Sequence, residues 1–233
     1  MALPEHLSLL RGGVENWNKW REENKTTKPE LAFVHLRGTD LAKVDLAEAD
    51  LAGADFAGAN LAGANFKRAN LSGAHLKRTH FGQADLRKAD FVEANLESAD
   101  LREACLKGAN FWGADLRGAN FCGADLREVN LIRASLSGAH LEKADLQGAD
   151  MTGADLRGAH VAGAGLEGAN LEGADLENTD LSNVKSFYKA RLDPDILSEI
   201  KANWPQKLAT LWDDTKKGWV INTALLGQIK KQD

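Results

Sequence analysis

Residues 34–183 divide into thirty consecutive pentapeptides with no insertion or deletion, each centred on an apolar residue: Leu36, Leu41, Leu46, Leu51, Phe56 and onward to Leu181. Of the centres, 22 are Leu and 6 are Phe, and the other two are Met151 and Val161. Two residues before each centre stands a small side chain, Ala in 24 repeats and otherwise Val34, Thr39, Val44, Thr79, Val129 or Thr179. The position just before the centre is mostly Asp or Asn, and the position two after it is Gly in 16 repeats. A period of five suits neither regular element. A helix would rotate successive centres by about 140°, and a flat strand would send alternate centres to opposite faces. All centres can point inward only if the chain turns once per pentapeptide, with Gly supplying the positive φ that such a corner asks for. The sequence therefore predicts an all-β solenoid whose coils stack at strand spacing, about 4.8 Å.

Motifs such as Ala54-Asp55-Phe56-Ala57-Gly58 and Ala114-Asp115-Leu116-Arg117-Gly118 resemble the A(D/N)LXX consensus of the pentapeptide-repeat family, over about two-thirds of the chain. The resemblance implies a right-handed quadrilateral β-helix with twenty residues per coil, which makes about seven and a half coils and a rod roughly 36 Å long. The segment GVENWNKWREEN also looks like the leader of many bacterial pentapeptide proteins, cyanobacterial ones included.

The flanks break the pattern: all four Pro and five of the six Trp lie outside residues 34–183. Residues 1–33 form an N-terminal helical cap, because Leu7, Leu10, Val14, Trp17 and Trp20 fall at helical spacing over residues 4–24 and need an apolar surface to cover. After Asn183 the period fails at Ser186. Asp193-Pro194 then opens a helix, with Asp as N-cap and Pro at the first helical position. Residues 184–233 are expected to form a C-terminal helical tail, with segments at about 194–203, 206–213 and 217–230. That tail is a cap or a dimerisation element for a homodimer, with Trp204, Trp212 and Trp219 as its interface; a membrane-surface helix is the third option.

Two Cys build no disulfide framework, and Cys105 and Cys122 fall on different faces, so both read as free thiols. No apolar run approaches the ~18 residues of a membrane span, and Glu5 within an N-terminus that lacks a long apolar core argues against a secretory signal. The chain reads as cytoplasmic. A net charge of −5 argues against direct nucleic-acid binding.

With the twenty-residue coil that the resemblance implies, residues twenty apart share a face, so surface side chains sort into columns. One column reads Ala52, Ser72, Val92, Trp112, Ile132, Thr152 and Glu172, and its Val92, Trp112 and Ile132 form an apolar stripe suited to a protein partner or to cover by a flanking helix. Another, Lys67, Arg68, Arg87, Lys88, Lys107 and Arg127, is basic but lies beside Asp85, Asp125 and Glu128, which suits a solvated face. Residues 134–183 carry an acidic surface (Glu142, Asp145, Asp155, Glu167, Glu172 and Glu177, with Asp150, Asp175 and Asp180) against only Lys143 and Arg157. Some relatives protect DNA gyrase from quinolones by imitating duplex DNA, so the resemblance adds a topoisomerase modulator as a second reading. The mixed, slightly basic middle of this chain departs from that pattern.

No catalytic constellation is visible. His35, His75, His80, His140 and His160 all precede repeat centres, and only His140 and His160 fall on successive coils of one column, with Asp180 on the coil after them; they read as substitutes for Asn or Asp, not as metal ligands. No P-loop occurs, and neither a cofactor nor a metal is expected. The sequence reads as a non-enzymatic, rigid scaffold for an unidentified protein partner.

Overall fold

The computed structural model describes residues 3–213 and 218–221. Four ladders of parallel bridges, one per face, organise the chain: Glu30 pairs with Asp50, His35 with Asp55, Asp40 with Asn60, and so on in steps of five. Through the unbroken repeat each bridge joins residues twenty apart, so four pentapeptides complete one coil and each coil hydrogen-bonds to the next. The chain is a β-helical solenoid with four faces, numbered here from the pentapeptides centred on Leu36, Leu41, Leu46 and Leu51.

The bonds within one repeat explain its consensus. The centre amide donates to the next coil, as Leu51 N does to Asn70 O at 2.8 Å, and the corner amide does likewise, Gly53 N to Ser72 O at 2.9 Å. The following Ala closes the turn by donating back to the centre carbonyl, Ala54 N to Leu51 O at 2.9 Å. The corner residue is left-handed whether or not it is Gly. Fifteen non-glycine corners, among them Arg78 (φ 57°) and Glu93 (φ 56°), share that geometry. At thirteen of them, from Phe33 to Lys143, the amide is tied to the next coil, which outweighs the intrinsic cost of positive φ. The Asp or Asn before each centre braces the turn locally, since its Oδ1 accepts the amide two residues on, as Asp55 does from Ala57 N at 3.1 Å.

The interior holds the centres and the small residues. Six phenylalanines stack through it, with Phe91 and Phe111 parallel at 4.6 Å and other neighbours, such as Phe66 and Phe81, edge to face. Thr79, buried at a small-residue position, donates its hydroxyl to Phe56 O at 2.9 Å.

The N-terminal segment is two helices, α1 (Pro4–Arg11) and α2 (Val14–Glu23), where the sequence pattern suggests one over residues 4–24. Gly12-Gly13 separates them, and Gly13 at φ 106° is outside any helix. Side chains of α2 meet the edge of the first coil as another strand would. Trp17 Nε1 donates to Asp45 O at 2.7 Å, Asn18 Nδ2 donates to Lys43 O while its Oδ1 accepts Asp45 N, and Arg21 donates to Ala47 O. His6 of α1 accepts Glu30 N through Nδ1 at 3.0 Å, and Leu10 and Trp17 are buried in the core cluster.

At the other end the ladder outlasts the unbroken repeat. Gly165 pairs with Ser186 and Asn170 with Arg191, both twenty-one apart, because one extra residue, Lys185, enters the coil. Phe187 resumes the centre position, fully buried, and Lys189 the left-handed corner at φ 58°. Helix α3 (Pro194–Asn203) begins at Pro194, but the Asp193 carboxylate accepts Gly173 N instead of capping the helix.

The all-helical tail expected beyond residue 203 does not form. Helix α4 (Pro205–Ala209) is short, and strands β1 (Thr210–Asp213) and β2 (Gly218–Ile221) pair antiparallel where helices over 206–213 and 217–230 were expected. Trp212, Trp219, Val220 and Ile221 are aromatic or β-branched and suit a strand, and the polar DDTKKG run between the two halves of the pair ends any helical periodicity. Residues 222–230 of the expected last helix lie outside the described residues.

Two outcomes follow. Ala114→Leu is expected to overpack the interior and lower stability by about 1–3 kcal/mol, read as a lower melting temperature. Trp17→Ala, which removes a buried ring and a bond to the first coil, should cost about 3–5 kcal/mol in chemical denaturation.

Candidate interaction surface

The fourth face is where the structure gathers exposed apolar groups. Val92, Trp112 and Ile132 stand on three successive coils of that face, each one residue after a buried centre. Trp112 is 37% exposed, and its two neighbours are half-buried. No described element covers the indole. The stripe is held from beneath by a polar ladder: Asp90, Asn110 and Asn130 accept the amides of Val92, Trp112 and Ile132 through Oδ1. Asn110 and Asn130 also donate one coil back, to Asp90 Oδ1 at 3.1 Å and to Asn110 Oδ1 at 2.9 Å. The three side chains therefore project from a backbone pinned at three points.

The same face holds an aromatic residue that sequence reasoning missed. Phe33, 65% exposed, occupies the left-handed corner of the first coil, with its ring across Gly53, where a Cβ would stand 2.5 Å from a ring carbon. The signal was present: Pro29-Glu30-Leu31-Ala32-Phe33 continues the frame by one repeat, with Pro in place of the small residue. Between Phe33 and Val92 the face is floored by Ala52, Gly53, Ser72 and Gly73.

The acidic surface is less uniform than its composition suggests. Asp145 lies 3.7 Å from Arg127, Asp155 is paired with Arg157, and Glu172 takes a two-toothed grip from Arg191 at 2.9 Å. Glu142 accepts the Cys122 thiol at 3.1 Å and approaches His140 Nδ1 at 3.4 Å. Burial, and then Glu142, push the Cys122 thiol above its ordinary value. Glu167 shares a shallow basin with Lys189, and Glu177 is exposed. Arg191 and Lys189 reach these coils only through the shift at Lys185, so a charge count ending at residue 183 leaves them out. The basic column is likewise offset, with Arg87 on Asp85, Arg127 on Asp125, Lys107 on Glu128 and Arg68 on Glu48.

The three tail tryptophans lie on different backbone elements. Trp204 follows α3 and packs, half-buried, against the core, whereas Trp212 and Trp219 are register partners in the β1–β2 pair. His140 and His160 stack at 4.7 Å, and among the described residues no three His, Cys, Asp or Glu side chains are arranged to hold a metal ion. Cys105 and Cys122 are both free thiols.

The family model for pentapeptide repeats matches in eight copies, over residues 30–68, 64–103, 104–142, 125–161, 134–173 and 162–193. Among solved structures, a trypsin-treated form of QnrB1, a plasmid-mediated fluoroquinolone resistance protein, is 23% identical. The match covers 74% of this chain and 91% of that one, with a TM-score of 0.56. The pentapeptide repeat protein Rfr23 from the cyanobacterium Cyanothece 51142 is 38% identical over 40% of this chain and 64% of its own, at a TM-score of 0.40. HetL, a pentapeptide repeat protein involved in heterocyst differentiation regulation from Nostoc sp. strain PCC 7120, is 29% identical over 75% and 93%, at 0.33. No curated protein matches the sequence.

The ion pairs set an acid limb for stability. Asp85, Asp100, Asp115, Asp125 and Asp155 are each held below the ordinary aspartate value, chiefly by the hydrogen bond from the arginine two residues on. A carboxylate with a lowered native pKa stabilises the fold above its unfolded pKa, and that contribution is lost as pH falls through the native value. Melting temperature should thus be level above about pH 5 and fall below about pH 4, with each half-exposed pair adding little because solvent screens it. Asp115→Asn should shallow that fall; a variant with the wild-type pH profile would show that the Asp115–Arg117 pair contributes nothing.

Proposed function

The chain belongs to the pentapeptide-repeat family, and from that membership we propose that it serves as a non-enzymatic, rigid scaffold that binds a protein partner through its fourth face. In this reading the rod is a right-handed quadrilateral coil, with α1 and α2 as the cap of its first coil. The observation that carries the proposal is the exposure of Trp112 between Val92 and Ile132 on a backbone that the Asp90–Asn110–Asn130 ladder holds still. A large aromatic group presented on a pre-ordered surface loses little entropy on association, which is what a binding anchor needs. Phe33 extends the same face.

Nothing in the arrangement favours chemistry. Nucleophilic and acid–base catalysis require a nucleophile, a base and an orienting group converging on one site, and the polar side chains here repeat along convex faces instead. Among the described residues no helix is long and apolar enough to cross a membrane. The pairing of Asp145, Asp155 and Glu172 with arginines weakens the DNA-mimic alternative, which depends on an unbroken run of negative charge.

The test compares the wild-type chain with Trp112→Asp in affinity capture from native-host lysate, alongside a gyrase supercoiling assay. The scaffold reading expects a retained protein that the variant loses by tenfold or more, and no change in supercoiling. A partner retained equally by both chains would move the interface off the stripe. Inhibition of supercoiling by both would favour topoisomerase modulation.

A further inference from the structure

The first face carries a feature unrelated to the apolar stripe. Its column after the centres reads Arg37, Ala57, Lys77, Glu97, Arg117, Ser137 and Arg157, and its corner column reads Gly38, Gly58, Arg78, Ser98 and Gly118. Cations thus recur on alternate coils, and the coil between the first two has almost no side chain. The result is a basin of about 330 Å³ lined by Arg37, Ala57, Gly58, Lys77 and Arg78. Its two cationic rungs lie two coils apart, about 9.6 Å. A Cβ built at Gly58 would meet nothing within 4 Å, so the floor is open to solvent.

The charges around this gap are unevenly answered. Lys77 Nζ is held by Glu97 Oε2 at 2.7 Å, one coil beyond the basin. The Arg37 side chain is 71% exposed and its one ion pair among the described residues is to Asp55 Oδ2 at 3.4 Å, while the other oxygen of Asp55 accepts Ala57 N. Arg78 makes no ion pair with any described residue, although its corner position fixes its backbone at φ 57°. Farther along the face the pattern differs: Arg117 lies on Asp115, and Arg157 on Asp155 and Asp175. The two guanidinium groups lining the basin are therefore the ones whose donors are least engaged on this face, and they flank a gap one coil tall.

We propose that this basin is an oxyanion site, in which Arg37 and Arg78 hold one phosphate-type group over the Ala57–Gly58 backbone. Guanidinium is suited to this, because its planar donors match a tetrahedral oxyanion in pairs and it is weakly hydrated compared with an ammonium group. Because the β-helix fixes the coil spacing, the distance between the two rungs needs no rearrangement on binding. The group could arrive as free inorganic phosphate or as the phosphoryl group of a phosphoserine on a partner.

The test uses the full-length ¹⁵N-labelled chain at constant ionic strength, following the Gly58 amide during titration with sodium phosphate. The site requires a saturable shift at Gly58, at least tenfold weaker binding in Arg37→Gln and in Arg78→Gln, and unchanged binding in Arg117→Gln. Ala57→Asp, which places a carboxylate on the floor, should abolish the shift while leaving the melting temperature within a few degrees. A phosphoserine peptide that binds at least tenfold more tightly than phosphate, with its unphosphorylated form inert, assigns the group to a partner; equal binding assigns it to the free ion. The proposal is overturned if chloride reproduces the shift, or if the two arginine variants titrate like the wild type.

Discussion

The structure rests on the amide of the corner residue. In repeat after repeat that amide donates to a carbonyl one coil away, and it can do so only when the corner backbone is left-handed. Once that bond and the centre bond are made, each pentapeptide is locked to its neighbour twenty residues on. Inward placement of the centres, a small residue beside each, and an outward pair of variable positions then follow without further instruction. Nearly half the corners do without glycine, which shows how strongly the coil above enforces the conformation. Pairing between equivalent residues also turns side chains into ladders, as in Asp90–Asn110–Asn130, so the surface inherits the regularity of the backbone.

A stacked fold of this kind has to answer for its two edges, where the same amides and carbonyls lack a neighbouring coil. Here the first edge is met by side chains: Trp17, Asn18 and Arg21 from α2 and His6 from α1 supply donors and acceptors at coil positions. At the far end, Phe187 N donates to Lys207 O, and Ile200 of α3 is fully buried in the core cluster. Both solutions use chain that does not repeat, which is why tryptophan and proline concentrate there.

The surface features were legible to different degrees. Val92, Trp112 and Ile132 could be placed on one face from their spacing together with the twenty-residue coil that the family resemblance implies, because no insertion falls between them. Phe33 could not be seen with them while the frame began at residue 34, because Pro29 hides the repeat that contains it. The cations beside the acidic coils were hidden for a related reason: one inserted residue, Lys185, carries Lys189 and Arg191 onto the same coils, and Arg191 reaches Glu172. The gap between Arg37 and Arg78 depends on which carboxylates the neighbouring side chains choose, and a column of letters does not disclose that choice.

An uninterrupted five-residue period is incompatible with a helix or a flat strand, so the order of amino acids was sufficient to set a solenoid and its inward residues, while the four-sided coil was implied by the family resemblance and is seen in the bridges between residues twenty apart. Local chemistry was enough for the start of α3 at Pro194. The break between α1 and α2 at Gly13, the strand pairing of residues 210–213 with 218–221, and the resumption of the coil after Lys185 came from three-dimensional packing. In each case the local pattern allowed more than one backbone path, and contacts between residues distant in sequence selected one of them. Surface chemistry belongs to that second category, because exposure and ion pairing are properties of neighbours in space.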